Sequence, residues 1–151
     1  MRRAFHVILA VIYAVAIFYL SSTPSPPNPI TASNFMKIYQ ILKAHGLEFL
    51  AAPFYLAFKH PDKFAHLLLY FGFGTVLNPA VRSVFGKNPY LCTIVLGCLY
   101  AASDEIHQMF VPNRSPSFSD FFADAMGLLL SQVAMVLWVN KSKVKKVFFK
   151  W

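Results

Sequence analysis

Charge is scarce in this sequence, and negative charge scarcer still. Lys, Arg, Asp and Glu together make up 13% of the 151 residues, and only six residues are acidic. An ordinary soluble domain carries about 25% charged residues, so the composition argues against a water-facing globular surface. Cysteine is almost missing. Cys92 and Cys98 lie in one apolar run, six residues apart, so on a helix they point to different faces. They read as small packing residues, which sets aside a disulfide framework or a thiolate metal centre. There is no internal repeat of the kind transporters carry. There is no nucleophile motif either, and Asp104-Glu105-Ile106-His107 is not the HExxH of a zinc peptidase.

What is present is apolar. Hydrophobic residues reach 57%, and the mean hydropathy is +0.51. The formal net charge is +8, which alone could suggest nucleic acid. The basic residues, however, flank apolar runs rather than forming one basic face. That is the pattern by which Lys and Arg stay on the cytoplasmic side of a membrane, so no nucleic-acid partner is expected.

Four apolar runs are long enough to be membrane helices: about 4–20, 64–81, 90–104 and 121–139. The first could instead be a secretory signal, because Arg2 and Arg3 precede it. No small-x-small cleavage site follows it, which favours a retained helix. Gly72, Gly74, Gly97 and Gly127 fall inside the later runs and would let helices approach closely. The expected fold is all-α, a bundle of four transmembrane helices formed by residues 1–140. Residues 141–151, KSKVKKVFFKW, form a basic tail suited to an anionic inner leaflet, with protein binding as the alternative.

Counting charge fixes the orientation. Arg2, Arg3, Arg82, Lys87, Lys141, Lys143, Lys145, Lys146 and Lys150 are nine of the 14 basic residues, and four spans place all nine on one side. Both termini are then cytoplasmic. All six acids, Glu48, Asp62, Asp104, Glu105, Asp120 and Asp124, fall at the other side or in the outer ends of spans.

The segment between the first two runs opens with SSTPSPPNP, which cannot form regular helix. Phe35, Ile38, Tyr39 and Leu42 then fall at i, i+3, i+4 and i+7, predicting an amphipathic helix over Asn34–His45 that ends at Gly46. The stretch Leu47–Phe58 is apolar but has only 12 residues and contains Pro53. It is expected to lie in the interface or to be re-entrant.

Three short segments hold the polar chemistry. Asp62, His66 and Tyr70 are spaced i, i+4, i+8 and form a stripe at the outer end of the second span, beside Lys63. Asp104, Glu105, His107 and Gln108 close the third span. Asp104 shares a face with Gln108, and Glu105 points about 100° away. Arg114 precedes the fourth span, which begins with Asp120 and Asp124 at i, i+4. Ser115 or Ser117 can cap this helix, with Pro116 suited to its first turn. Each residue has an ordinary alternative: Asp62 or Asp120 as a helix cap, Lys63 snorkelling to head groups, Tyr70 in an aromatic belt, Arg114 neutralising an acid or binding lipid phosphate. Together they argue for more. Asp124 and His66 lie a turn inside their spans, where ionisable groups are costly unless they face a polar interior and pair.

At these residues the chain resembles the VanZ-like family. The likeness lies in DKxxHxxxY (Asp62, Lys63, His66, Tyr70), DExxQ (Asp104, Glu105, Gln108), and an arginine, an aspartate and a glycine-containing helix (Arg114, Asp120, Gly127). Ser21 and Ser22 also fit the pattern, and the likeness runs from about Phe5 to Leu137. Two positions depart from it: Asn113 stands where the family commonly has glycine, and Asp124 where it commonly has asparagine. The second adds a carboxylate to the site. The resemblance implies a bacterial protein of the cytoplasmic (inner) membrane. The family takes its name from a member associated with resistance to the glycopeptide teicoplanin.

Two functions fit these residues. In one, the pocket binds a membrane lipid or a lipid-linked cell-wall precursor. Lys63 and Arg114 then contact phosphate, while Asp62, Tyr70, Gln108, Asp120 and Asp124 orient polar groups. In the other, the protein is an enzyme on a lipid or cell-wall substrate, with His66, Asp104 and Glu105 as candidate catalytic residues. Asp62, Asp104, Asp120 and Asp124 could then hold a divalent metal. No cofactor and no oligomeric state is assigned.

Overall fold

The computed structural model describes residues 2–24 and 32–148. Six helices follow one another: α1 (Arg2–Ser21), α2 (Ala32–Ala44), α3 (Glu48–Lys59), α4 (Pro61–Phe85), α5 (Pro89–Gln108) and α6 (Phe118–Phe148). No strand occurs among the described residues. Most of the proline-rich segment after Ser22, and the last three residues of the basic tail, lie outside the described residues.

Local sequence explains the helix ends. Pro61 starts α4 at a position where its missing N–H is no loss. Gly86 stops α4 with φ +71°, and its N–H bonds back to the Arg82 carbonyl at 3.1 Å. Asn88 follows at φ 46°, and Pro89 opens α5. This three-residue turn makes α4 and α5 antiparallel neighbours. The helices run further than the apolar runs: α4 begins before residue 64 and continues past Val81, because Arg82 and Ser83 interrupt hydropathy but not backbone hydrogen bonding. Pro79 sits within α4, as membrane helices allow.

Among the described residues, three helices are long and apolar enough to cross a membrane: Arg3–Ser21, Pro61–Phe85 and Phe118–Val139. They match the first, second and fourth expected spans. The third, α5, has 20 residues, but Asp104, Glu105, His107 and Gln108 in its last two turns keep it below that level. A four-span count is therefore not established by length and hydropathy.

α4 is the centre of the bundle, packed against α6, α1 and α5. Gly127 on α6 lies against the backbone of α4, where a Cβ would stand 2.9 Å from the Phe71 nitrogen and against the Leu67 carbonyl. This is the close approach that small residues permit. Ile17, Tyr70, Phe73, Ala101 and Leu128 form the buried core. The outer faces stay apolar: Ile8, Val15 and Phe18 on α1, Leu91, Val95 and Leu99 on α5, and Val133 and Leu137 on α6 are exposed. Apolar exposure of this extent marks a surface made for lipid.

α2 and α3 form a helical hairpin, turned at Gly46 with φ +71°. α2 matches the expected amphipathic helix, and its Phe35 meets Phe64 of α4 edge to face at 5.1 Å. The 12 residues of α3 reach about 18 Å as a helix, too short to span a bilayer, and Pro53 is accommodated inside it.

Candidate functional site

The antiparallel order brings four chain ends together: the start of α4, the end of α5, the start of α6 and the end of α1. On α4, Lys63 forms ion pairs with Asp62 at 3.0 Å and with Asp120 of α6. Asp62 is no helix cap, since His60 holds that position; its side chain is 60% exposed, so it stands at the rim. One turn deeper, His66 Nδ1 lies 3.0 Å from Asp124 Oδ1. Another turn deeper is Tyr70, fully buried, its hydroxyl without a hydrogen-bond partner. The stripe read from the spacing thus runs from solvent into the core, not along one level.

The α5 residues diverge as their 100° offset predicts. Gln108 Nε2 donates to Asp104 Oδ2 at 3.3 Å, both side chains buried. Glu105 turns instead to α6, where its Oε2 accepts the Ser117 backbone N–H at 2.7 Å. Ser117 takes the capping position of α6, and its carbonyl accepts the N–H groups of Asp120 and Phe121. Its hydroxyl pairs with Ser119 at 2.7 Å rather than capping the helix. Pro116 precedes the first turn instead of lying in it. The loop between α5 and α6 bends at Asn113, with φ 60°, a left-handed conformation that asparagine tolerates. Next to it, Arg114 reaches across to α1 and donates from Nη2 to the Leu20 carbonyl at 3.4 Å, while its Nε has no partner.

Two residues resting only on the family resemblance, Ser21 and Ser22, gain a place here. Ser22 Oγ lies 2.9 Å from His107 Nε2, and the His107 ring stacks at 4.5 Å on Phe18. Ser21 is buried beside Asp104, outside hydrogen-bond geometry, so its hydroxyl stays unpartnered. The end of α1 therefore closes one wall of the cluster.

All ten candidate residues gather at this end of the bundle. Tyr70, Asp104, Glu105, Gln108, Asp120 and Asp124 are buried, Lys63, His66 and Arg114 partly so, and Asp62 exposed. Carboxylates outnumber cations. One oxygen each on Asp104, Glu105 and Asp124 is buried without a partner. Unsatisfied buried polar atoms are rare and ask for an explanation. Coordinating atoms of His66, Glu105 and Asp124 lie within 4.8 Å of one another.

The geometry agrees with the family comparison. The family model for VanZ/LLP1 matches residues 7–139. The chain belongs to the VanZ/LLP1 family. The match spans α1 to α6, so it includes every residue of the VanZ-type polar cluster described above. No curated protein and no solved structure matches the chain. Family membership and the apolar helices make this a VanZ-family membrane protein, consistent with a role in the cell envelope.

Sequence reading missed a second polar group, deeper in the bundle. Asn78 Nδ2 donates to Gln132 Oε1 at 2.7 Å. Gln132 Nε2 donates to the Gly74 carbonyl at 3.2 Å and to Ser131 Oγ at 2.7 Å. Isolated amides in apolar runs carry no local pattern; only the α4–α6 pairing reveals them. A cavity of about 250 Å³ lies elsewhere, between α1, α4 and α5, lined by apolar side chains such as Val11, Leu77, Val81 and Leu96. It has none of the convergent polar groups that orient a head group.

Proposed function

We propose that this protein is a four-span membrane protein of the bacterial inner membrane. Its polar cluster forms an outward-facing pocket for the head group of a lipid-linked or phosphate-bearing envelope component. α5 is the fourth span in this reading: it has the length, and Leu91, Val95 and Leu99 give it an apolar outer face. By their place in the sequence, nine of the 14 basic residues then fall on the other side of the membrane from the cluster, which supports cytoplasmic termini and an outward pocket.

The observation that carries this reading is the convergence of buried, incompletely satisfied ionisable groups from three helices at one end of a mainly apolar bundle. Arg114, with its Nε unpaired, offers a guanidinium donor, and Lys63 a cation at the rim. Tyr70, Asp104 and Glu105 offer hydrogen bonds to hydroxyl or amide groups of a polar head. An aliphatic tail would lie along the apolar flank of the bundle. Occupying such a precursor would change access of a lipophilic glycopeptide such as teicoplanin to its target.

The test is the lipid content of detergent-purified protein. Wild type is expected to carry a phosphate-bearing lipid, lost in Arg114→Ala and reduced in Lys63→Ala. Lipid content unchanged in both variants refutes the reading. Labelling single cysteines near Asp62 and Arg114 from outside the cell tests the orientation; opposite sidedness removes the shared pocket.

The His66–Asp124 pair favours the enzyme reading as the alternative. A histidine held at 3.0 Å by a buried carboxylate has the arrangement of an oriented general base. Glu105 stands beside it as a second acid/base group. Turnover of a lipid-linked substrate that is lost in His66→Gln would establish this reading.

A further inference from the structure

The geometry points to a divalent transition-metal site formed by His66, Glu105 and Asp124, one ligand from each of α4, α5 and α6. The site deepens the head-group reading and takes from it only that the cluster binds a ligand.

Three observations support it. First, the donor set converges: one coordinating atom from each residue lies within 4.8 Å of the others. Metal bonds of about 2.0–2.2 Å to nitrogen and oxygen place tetrahedral ligands about 3.3–3.6 Å apart. Closing the site therefore requires side-chain shifts of no more than about 1 Å. Second, each carboxylate is oriented by one oxygen and leaves the other free. Glu105 Oε2 accepts the Ser117 N–H at 2.7 Å, while its Oε1 is buried and unpaired. Asp124 Oδ1 faces His66, while its Oδ2 is buried and unpaired. Asp124 is 0% exposed and Glu105 8%. Backbone support of a ligating carboxylate, as Ser117 gives Glu105, is how metal sites fix their first ligands. Third, the charge calls for it. Asp104 and Asp120 lie within electrostatic reach of Glu105, and Lys63 is already paired with Asp62 and Asp120. Buried carboxylates are expensive without a counter-charge. A divalent ion supplies it, and it also lets an anionic head group approach a cluster that would otherwise repel it.

One imidazole and two carboxylates suit Mn²⁺ or Zn²⁺ rather than Ca²⁺, which takes oxygen ligands throughout. Three protein ligands leave coordination positions open, the form that ligand-binding metal sites take. This set differs from an all-aspartate site: Asp62 is exposed at the rim, and Asp104 is bonded to Gln108.

The experiment measures metal in detergent-purified, delipidated protein with its affinity tag removed, as isolated and after loading with Mn²⁺ or Zn²⁺. The expected result is about one ion per chain. Glu105→Gln and Asp124→Asn should each weaken binding by at least about tenfold, since even loss of supporting contacts weakens metal sites by about 10–100-fold. Glu48→Gln, at the exposed start of α3, should leave it unchanged. Failure of wild type to hold an ion after loading, or full occupancy in both ligand variants, overturns the proposal. Should a ligand variant fail to fold, pulsed electron paramagnetic resonance of Mn²⁺-loaded wild type decides. Coupling to one imidazole nitrogen supports the site, and its absence overturns it. Metal is measured on delipidated protein and lipid on protein before delipidation, so metal without co-purified lipid would refute the head-group reading alone, and lipid without metal would refute this site alone.

Discussion

The same pair of helices, α4 and α6, carries two buried polar groups that are built in opposite ways. Asn78, Ser131 and Gln132 form a neutral network in which Gln132 satisfies its donors on Gly74 and Ser131 and its acceptor on Asn78. Nearer the end of the bundle, His66 and Asp124 pair once, and Asp124 Oδ2, Glu105 Oε1, Asp104 Oδ1 and the Tyr70 hydroxyl remain without partners. In lipid an unsatisfied group has no water to turn to. The amide network leaves one buried acceptor without a partner, Asn78 Oδ1, but it is neutral and every polar group of Gln132 is paired, which suits it to helix association. The open cluster near the end is made of ionisable groups and leaves these four buried atoms without partners; it is kept at a loss in stability unless something else completes it. The contrast separates the part that holds the bundle together from the part that waits for a ligand.

The largest expected effect lies in the helix contact that both groups share. Gly127 brings α6 onto α4, and a Cβ there would meet backbone atoms of Leu67 and Phe71, which cannot swing away. Gly127→Ala should destabilise the detergent-solubilised protein by about 1–3 kcal/mol, the usual effect of overpacking. Thermal unfolding measures it. An unchanged melting temperature would mean that the close α4–α6 contact is not what aligns either polar group.

Next comes the amide network. Gln132→Leu leaves Asn78 Nδ2 without its acceptor and should destabilise by about 1–2 kcal/mol, the range of interhelical hydrogen bonds in model membrane peptides. Asn78→Leu should act alike. The double variant should be less damaging than the sum of the singles, because removing both partners leaves no orphan. Strict additivity would break the comparison, since Asn78 and Gln132 would then not act as a unit.

The open cluster should respond in the reverse sense. Asp124→Asn keeps an acceptor for His66 but removes a buried carboxylate. Stability of ligand-free protein should stay level or rise by up to about 1 kcal/mol, because the desolvation penalty of the charge disappears. Stabilisation by added Mn²⁺ should vanish at the same time. A loss of stability as large as that in Gln132→Leu would place the cluster with the structural network.

Much of this contrast was legible in the sequence, and the missing part has a physical reason. The four-residue spacing of Asp62, His66 and Tyr70, and the offset between Asp104 and Glu105, are properties of one helix each. The structure places them accordingly. That the ends of α4, α5 and α6 meet follows from short connections and alternating direction. What helical periodicity could not supply is pairing between helices. It says nothing of which helix receives Glu105, that Asp124 faces His66, or that Ser22 meets His107. Asn78 and Gln132 are the extreme case: lone amides whose role exists only between helices. The fourth span is ambiguous for a related reason. The residues that make the end of α5 interesting chemically are the ones that lower its hydropathy.

The smallest predicted effect tests where the open cluster ends. Lys63 pairs with two aspartates of very different exposure, Asp62 at 60% and Asp120 at 12%. An exposed ion pair is screened by water and salt, and such pairs contribute about 0–1 kcal/mol. Asp62→Asn should therefore change the melting temperature negligibly, leaving Lys63 anchored by Asp120. Asp120→Asn removes the partner that ties the start of α6 to α4, and should destabilise more than Asp62→Asn by thermal unfolding. If the two variants behave alike, Lys63 is a free rim cation, and the boundary between the solvated rim and the buried cluster lies one turn deeper, at His66.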